Sequence, residues 1–232
     1  MENKRFIVFT GQWSEDINEK TIPSLGEGDF ISCADGGYLV CLSMGFTPDI
    51  VIGDFDSLTP EQIAGIDELG IERIVHPCEK DETDTLLCVK YGISKGFEKF
   101  VLIGGIGGDF GHTMANLQVL SFLTDFGCEA EIITEKERLL MADGESISAV
   151  RETRPAAPLL FYGKPGSKFS VLSYAERCSG VYIKNAKYEL NDAVLTQSYP
   201  VGAGNEFIGE DPVEVGVRYG RLLVVINRDI NK

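Results

Sequence analysis

Residues 49–57 read Asp49-Ile50-Val51-Ile52-Gly53-Asp54-Phe55-Asp56-Ser57: three aliphatic residues in a row, a glycine, then two acids flanking a phenylalanine. A continuous Ile/Val run is apolar on both faces, as a parallel strand covered by helices is. Asp49–Gly53 is therefore predicted as a buried parallel strand. The acids at its end lie where open α/β sheets bind ligands, beyond the carboxyl ends of the strands.

The same rhythm extends outward. Arg5–Thr10, Phe30–Ala34, Glu72–Val75, Lys99–Ile103 and Glu129–Ile133 read as further strands buried on both faces, with Gly37–Met44, Pro60–Leu69, Asp84–Lys95 and Thr113–Phe126 as helices between them. Thr83 or Asp84 is placed to cap the third helix, and Gly96 and Gly127 follow the third and fourth. This alternation predicts an α/β domain with a mainly parallel sheet over residues 1–134. From about Glu135 the helical segments stop. Ser167–Ser173, Gly180–Lys184, Ala193–Thr196, Pro212–Arg218 and Arg221–Ile226 are short β runs between Gly, Pro and Asn turns, so residues 135–232 are predicted as an all-β domain, sandwich or barrel. Thr153–Pro158 reads as a loop or a boundary.

The 232 residues suit one large domain or two small ones. With 21 Lys and Arg against 36 Asp and Glu, the net charge of −15 argues against a nucleic-acid or anionic-membrane binder, which needs a basic face. The apolar run near the N-terminus, Phe6–Phe9, is too short for a signal-peptide core, and no apolar stretch approaches the roughly 20 residues that cross a bilayer. A cytoplasmic protein is expected. Six cysteines without a C-x-x-C pair encode neither a zinc site nor a redox motif, and most are expected to be buried thiols.

Four strand ends carry chemistry-bearing residues. Asp54 and Asp56, two apart, would project to one side of an extended backbone, and paired hard carboxylates are what Mg²⁺ takes. The alternative is an Asp/Ser turn with a capping role. Asp81 and Asp84, in Lys80-Asp81-Glu82-Thr83-Asp84 after the next strand, favour the cation, because converging acids repel one another without one. Asp35-Gly36-Gly37 is either a tight turn or a place where backbone N–H groups approach a nucleotide, with Asp35 as a sugar or metal acceptor. Gly104-Gly105-Ile106-Gly107-Gly108 reads as a backbone cradle for phosphate before a helix. It does not fit G-x-G-x-x-G, whose last position is Phe110, and no segment matches G-x-x-x-x-G-K-[ST]. His112 is placed either to contact a ligand or to begin the helix, and His76 reads as a loop residue. No Ser/His/Asp or Cys/His arrangement points to a covalent nucleophile.

In order along the chain, Ala34-Asp35-Gly36-Gly37, Gly53-Asp54-Phe55-Asp56-Ser57, Lys80-Asp81-x-Thr83-Asp84 and Gly104-Gly105-x-Gly107-Gly108-x-x-x-His112-Thr113-x-Ala115-Asn116 resemble the thiamin pyrophosphokinase family. So do Tyr188-Glu189-Leu190-Asn191-Asp192, Asn205-Glu206-Phe207 and Gly220-Arg221-Leu222-Leu223-Val224 in the second half. The resemblance implies an α/β catalytic domain that binds nucleotide and metal, then a β-sandwich that binds thiamin and forms a homodimer with sites between subunits. It also implies transfer of pyrophosphate from ATP to the thiamin hydroxyl with Mg²⁺, releasing AMP. By the same resemblance Asp54, Asp56 and Asp84 hold Mg²⁺, with Asp81 close by and Lys80 neutralising phosphate. Asp35, Gly36, Gly37, Ser57, Thr83, Gly105, Gly107, Gly108, His112 and Asn116 lie on the nucleotide side, and Asp109, Asn205 and Glu206 border the substrate. Metal, backbone N–H groups and one lysine suffice for phosphoryl transfer, which asks mainly for positioning and charge stabilisation, and an acidic surface suits a cationic thiazolium.

The family usually reads G-G-R-x-D-H where this chain has Gly107-Gly108-Asp109-Phe110-Gly111-His112, and Gly204 stands where Ser is frequent. The missing arginine makes Lys80, Arg138 and Arg177 its candidate substitutes. Two other readings compete: a Mg²⁺-dependent phosphohydrolase, because such enzymes also carry D-x-D after a strand, and a nucleotide or thiamin sensor without turnover.

Overall fold

A computed structural model of the chain describes residues 4–11, 22–144 and 157–228. The chain divides into two compact units, Met1–Leu123 with Gly127–Glu135 and Thr124–Phe126 with Lys136–Lys232.

The first unit contains strands β1 (Phe6–Phe9), β2 (Phe30–Ala34), β3 (Ile50–Gly53), β4 (Glu72–Val75), β5 (Lys99–Ile103) and β6 (Glu129–Ile133). Its helices are α1 (Gly37–Ser43), α2 (Pro60–Glu68), α3 (Asp84–Ser94) and α4 (Phe110–Asp125), the last running into the second unit. The strands pair in the order β6-β5-β1-β2-β3-β4, every pair parallel. All four side chains of β1 are fully buried. Ile7 and Phe9 pack with Tyr38 and Val40 of α1 and Ile66 of α2, whereas Phe6 joins Phe30, Phe100, Tyr91 of α3 and Phe97 in an aromatic layer. Each such side chain contributes about 1.5–3 kcal/mol of transfer free energy, which is why the central strands tolerate no polar face. β4 departs from the expectation of burial on both faces. It is the edge strand of the sheet, and Glu72 and Val75 are exposed.

The helices start where local chemistry satisfies their free N–H groups. α2 opens on a capping box: Thr59 Oγ1 accepts from the Gln62 N–H at 3.3 Å, and Gln62 Oε1 accepts from the Thr59 N–H at 2.8 Å. Of the two cap candidates for α3, Thr83 serves, its hydroxyl accepting from the Leu86 N–H at 3.3 Å. α4 begins at Phe110 rather than Thr113, so His112 lies inside its first turn.

The second unit has two antiparallel sheets, β12-β9-β14-β7 and β11-β10-β13-β8. Its strands are β7 (Glu137–Asp143), β8 (Leu159–Phe161), β9 (Lys168–Ser173), β10 (Arg177–Lys184), β11 (Leu190–Thr196), β12 (Asn205–Glu206), β13 (Val213–Gly216) and β14 (Arg221–Asn227). Leu140, Val171, Leu222 and Val224 from one sheet meet Val181, Ile183, Val213 and Val215 from the other in a single core, so the unit is a sandwich. Phe161, Phe169 and Phe207 fill it, with ring centroids 4.9–5.8 Å apart. Three strands, β7, β8 and β12, escape the sequence reading. β7 is Glu-Arg-Leu-Leu-Met-Ala-Asp, residues of high helix propensity, and its antiparallel register with β14 from Glu137↔Asn227 to Asp143↔Arg221 overrides that propensity. Of the Thr153–Pro158 stretch, residues 153–156 lie outside the described residues.

Candidate active site

β2 delivers Asp35 at its carboxyl end in a left-handed conformation, φ 43°, with its N–H bonded to Ile52 O at 3.0 Å. That turn lays the side chain against β3, where a Cβ on Gly53 would come 2.8 Å from Asp35 Cβ, so only glycine fits there. Asp35 is 8% exposed. Its Oδ2 accepts from the Ser57 hydroxyl, while its Oδ1 is buried without a hydrogen-bond partner. A Cβ on Gly36 would lie 3.0 Å from Ser57 Oγ, and one on Gly37 would lie 2.1 Å from Phe9 O, so the two glycines also let this turn close onto its neighbours.

Asp54 follows β3 directly. The chain does not remain extended to Asp56: Phe55 is left-handed, φ 63°, with its ring buried, and the Asp56 N–H folds back to Asp54 Oδ1 at 3.3 Å. Asp54 consequently belongs to two sets of donors. Its carboxylate lies within 4.8 Å of those of Asp35 and Asp84, and also within 4.8 Å of Asp56 and the Cys78 sulfur. The first set is enclosed, whereas Asp56 and Cys78 are exposed. Cys78 went unread as a neighbour of the acids; its place in the loop after the fourth strand was the only signal.

α3 supplies Asp84 at its first residue, and the preceding loop supplies Lys80. Lys80 Nζ lies 2.8 Å from Asp54 Oδ2 and 2.9 Å from Asp84 Oδ1, bridging the two acids. Asp35, Asp54 and Asp84 against one ammonium leave a local excess of negative charge. The hydrogen bond from Lys80 holds the Asp54 carboxyl below the usual aspartate range against the opposing effect of burial. Burial pushes Asp84 up, exceeding the pull of Lys80, and the charge of Asp54 pushes Asp56 up. Burial pulls the Lys80 ammonium down, but its bonds to Asp54 and Asp84 leave it raised overall and firmly charged. Asp81 is exposed and belongs to neither set of donors.

After β5, Gly104, Gly105, Gly107 and Gly108 all have positive φ, 62–100°, which side chains would resist. Asn116 is buried, its Nδ2 donating to Gly105 O at 2.8 Å, and Thr113 Oγ1 accepts from the Gly107 N–H at 3.1 Å. The cradle is thus held open by α4 itself. Asp109 caps that helix: its Oδ1 accepts from the His112 N–H at 3.0 Å, and a Cβ on Gly111 would come 3.0 Å from the same oxygen. The acid and the glycine at positions 109 and 111 therefore form one structural unit, the glycine making room for the cap. The His112 side chain is exposed.

In the second unit Asn205 is 4% exposed and its amide is occupied by backbone: Oδ1 accepts from the Tyr188 and Glu206 N–H groups and Nδ2 donates to Tyr188 O. Glu206 lies between Lys168 and Lys187, whose hydrogen bonds hold its carboxyl below the usual range. Of the cations considered as substitutes for the missing arginine, Lys80 stands among the acids, while Arg138 and Arg177 lie in β7 and β10.

Residues 24–132 match the family profile of the thiamin pyrophosphokinase catalytic domain, and residues 162–222 that of the thiamin pyrophosphokinase vitamin B1 binding domain. The chain is 22% identical over 174 residues to a thiamine pyrophosphokinase of Bacillus subtilis (strain 168), covering 75% of this chain and 76% of that one. It is 32% identical over 83 residues to thiamine pyrophosphokinase 1 of Oryza sativa subsp. japonica, covering 33% and 31%. Its fold is that of the crystal structure of thiamine pyrophosphokinase from Bacillus subtilis, TM-score 0.82 at 20% identity over 98% of this chain and 100% of that one. The thiamin pyrophosphokinase of Candida albicans is also similar, TM-score 0.75 at 15% identity over 98% and 90%. The two profiles take in most of the sequence in the order catalytic part, then binding part, and the chain belongs to the thiamin pyrophosphokinase family.

Proposed function

We propose that the chain transfers pyrophosphate from ATP to the hydroxyl of thiamin, as a cytoplasmic homodimer whose second unit contributes to thiamin binding and dimer formation. The observation that carries this reading is the convergence of Asp35, Asp54, Asp84 and Lys80 at the carboxyl ends of β2 and β3 and the start of α3, within the stretch that matches the catalytic-domain profile.

Mg²⁺ fits this place. The buried Asp35 Oδ1 lacks a partner, the neighbouring donors are hard carboxylate oxygens, and Lys80 already provides a positive charge between two of them. Asp54 and Asp84 would hold the ion, which when bound would neutralise charge on the polyphosphate. Lys80, beside Asp54 and Asp84, is the cation placed to neutralise phosphate, and the glycine turn at Gly105 and Gly108 forms the cradle on the other side of β1. The thiamin hydroxyl oxygen attacks the β-phosphorus. The bond from that phosphorus to the oxygen shared with the α-phosphate breaks, AMP leaves, and the hydroxyl proton passes to the carboxylate of Asp81, an acid of the loop before α3 that belongs to neither donor set. AMP formation from ATP and Mg²⁺, with and without thiamin, tests the reading. Thiamin-dependent AMP is expected; phosphate release from simple esters, or ATP bound with no AMP formed, overturns it.

A further inference from the structure

Arg73, in the edge strand β4, presents a guanidinium to α2 where an aliphatic side chain would be ordinary. The group is held twice. Its Nε and Nη2 donate to the two carboxylate oxygens of Asp67 in α2, at 2.8 and 3.0 Å, a planar fork that lysine cannot make. Its central carbon also lies 5.6 Å from the centroid of the Phe55 ring, within cation–π range. Phe55 separates Asp54 from Asp56, and its φ of 63° is a conformation that a bulky side chain keeps only where the surroundings enforce it. The backbone of the turn does little of this enforcing: the Asp56 N–H reaches Asp54 Oδ1 at 3.3 Å and the Leu58 N–H reaches Phe55 O at 3.4 Å, both long for hydrogen bonds. The grip is on the ring, which is 6% exposed and joins the core cluster that holds Leu58 and Ile66, with Arg73 against it. A return of Phe55 to negative φ would turn the peptide units carrying Asp54 and Asp56 relative to one another.

We propose that Arg73, held by Asp67, is a positioning residue: by clamping the Phe55 ring it maintains the left-handed turn that sets Asp54 and Asp56 for phosphoryl transfer. Its part in transfer rests on the reaction proposed above, whereas the clamp on the turn does not.

The test uses the full-length protein and two readouts. A left-handed residue brings its amide and α hydrogens close together, so Phe55 of the unaltered chain is expected to give a strong intraresidue nuclear Overhauser effect between them. Arg73→Met, which keeps an apolar stem and loses the fork, weakens that signal at least about twofold and lowers kcat for thiamin-dependent AMP formation about tenfold, with KM for thiamin changed by less than about threefold. Asp67→Asn moves both readouts the same way by a smaller amount. In a Phe55→Leu background Arg73→Met lowers kcat by less than about twofold further, because the ring it acts through is gone. An ordinary surface ion pair would move neither readout. Urea unfolding checks that each variant is folded, and should Arg73→Met fail to fold, Asp67→Asn carries the test. The inference is overturned by an unchanged Phe55 signal in Arg73→Met, by a weakened signal with unchanged kcat, by a rise in KM matching the fall in kcat, or by the full loss persisting in the Phe55→Leu background. If the unaltered chain forms no AMP while Arg73→Met still weakens the Phe55 signal, the reaction is refuted and the clamp stands.

Discussion

At the scale of single residues, Asp54 links everything at the site: it touches Lys80, shares donor sets with Asp35 and Asp84 and with Asp56 and Cys78, and accepts the Asp56 N–H. Asp54→Ala is expected to lower thiamin-dependent AMP formation about a hundredfold or more while circular dichroism stays unchanged, because the residue is half-buried and outside the hydrophobic core. Near-normal turnover would show that the acids are structural. Asp109 makes a different prediction. As the cap of α4 it contributes to stability, so Asp109→Ala is expected to cost about 1 kcal/mol in urea unfolding and Asp109→Asn, which keeps a cap oxygen, far less. Equal losses in the two variants would mean that charge, not the cap bond, matters.

At the scale of elements, the site depends on how closely α1 and the 35–37 turn approach β1 and β3. A methyl group at position 37 would overlap the Phe9 carbonyl oxygen at 2.1 Å, and backbone on both sides leaves no flexible atom to yield. Gly37→Ala should therefore lower unfolding stability by about 1–3 kcal/mol, the usual cost of overpacking, measured as a drop in the urea midpoint with an unchanged slope. An unaltered midpoint would show that α1 can shift freely. The strands and helices of the first unit were legible because burial on both faces writes itself as unbroken Val, Ile and Phe. β7 was not, because Leu, Met and Ala say nothing of strand until β14 pairs with them.

At the scale of the whole molecule, burial divides the six cysteines. Cys33, Cys41, Cys88 and Cys178 are buried, and burial pushes the Cys88 thiol up to about 12, whereas Cys78 is exposed and Cys128 half-buried. A thiol reagent applied to the native protein should modify Cys78 first and reach the four buried thiols only on unfolding; early labelling at Cys88, read by peptide mass, would contradict this packing. Acid stability is set in part by Asp29. Burial pushes its carboxyl up, but the bonds from Arg5 and the Gly26 N–H prevail and hold it below the ordinary 3.8. A depressed carboxyl means that the unfolded chain binds the extra proton, so this contribution is complete above 3.8 and disappears as pH falls through the lower folded value. Asp29→Asn should flatten the acid limb of the stability curve in that window and leave its shape near neutrality unchanged; identical acid limbs would remove Asp29 from the account. Among the described residues no helix is long and apolar enough to cross a membrane.

The sequence by itself determined the α/β unit, the β-rich unit after it and the strand ends that carry Asp35, Asp54, Lys80, Asp84 and the glycine loop, because hydrophobic periodicity and turn chemistry are local properties. Only the tertiary structure decided which acids meet. Extended geometry pairs Asp54 with Asp56, and the two carboxylates do lie together beside Cys78, although a left-handed Phe55 ends the extension; across Gly53 the parallel register of β2 on β3 brings Asp35 to Asp54 as well. The same holds for Asn205, a site candidate in the sequence whose amide the fold uses to tie the Tyr188 turn, and for Asp109, a charge out of place in the sequence that proves to be a helix cap. Side-chain partners are fixed by contacts between segments far apart in the chain, and no local pattern encodes those distances.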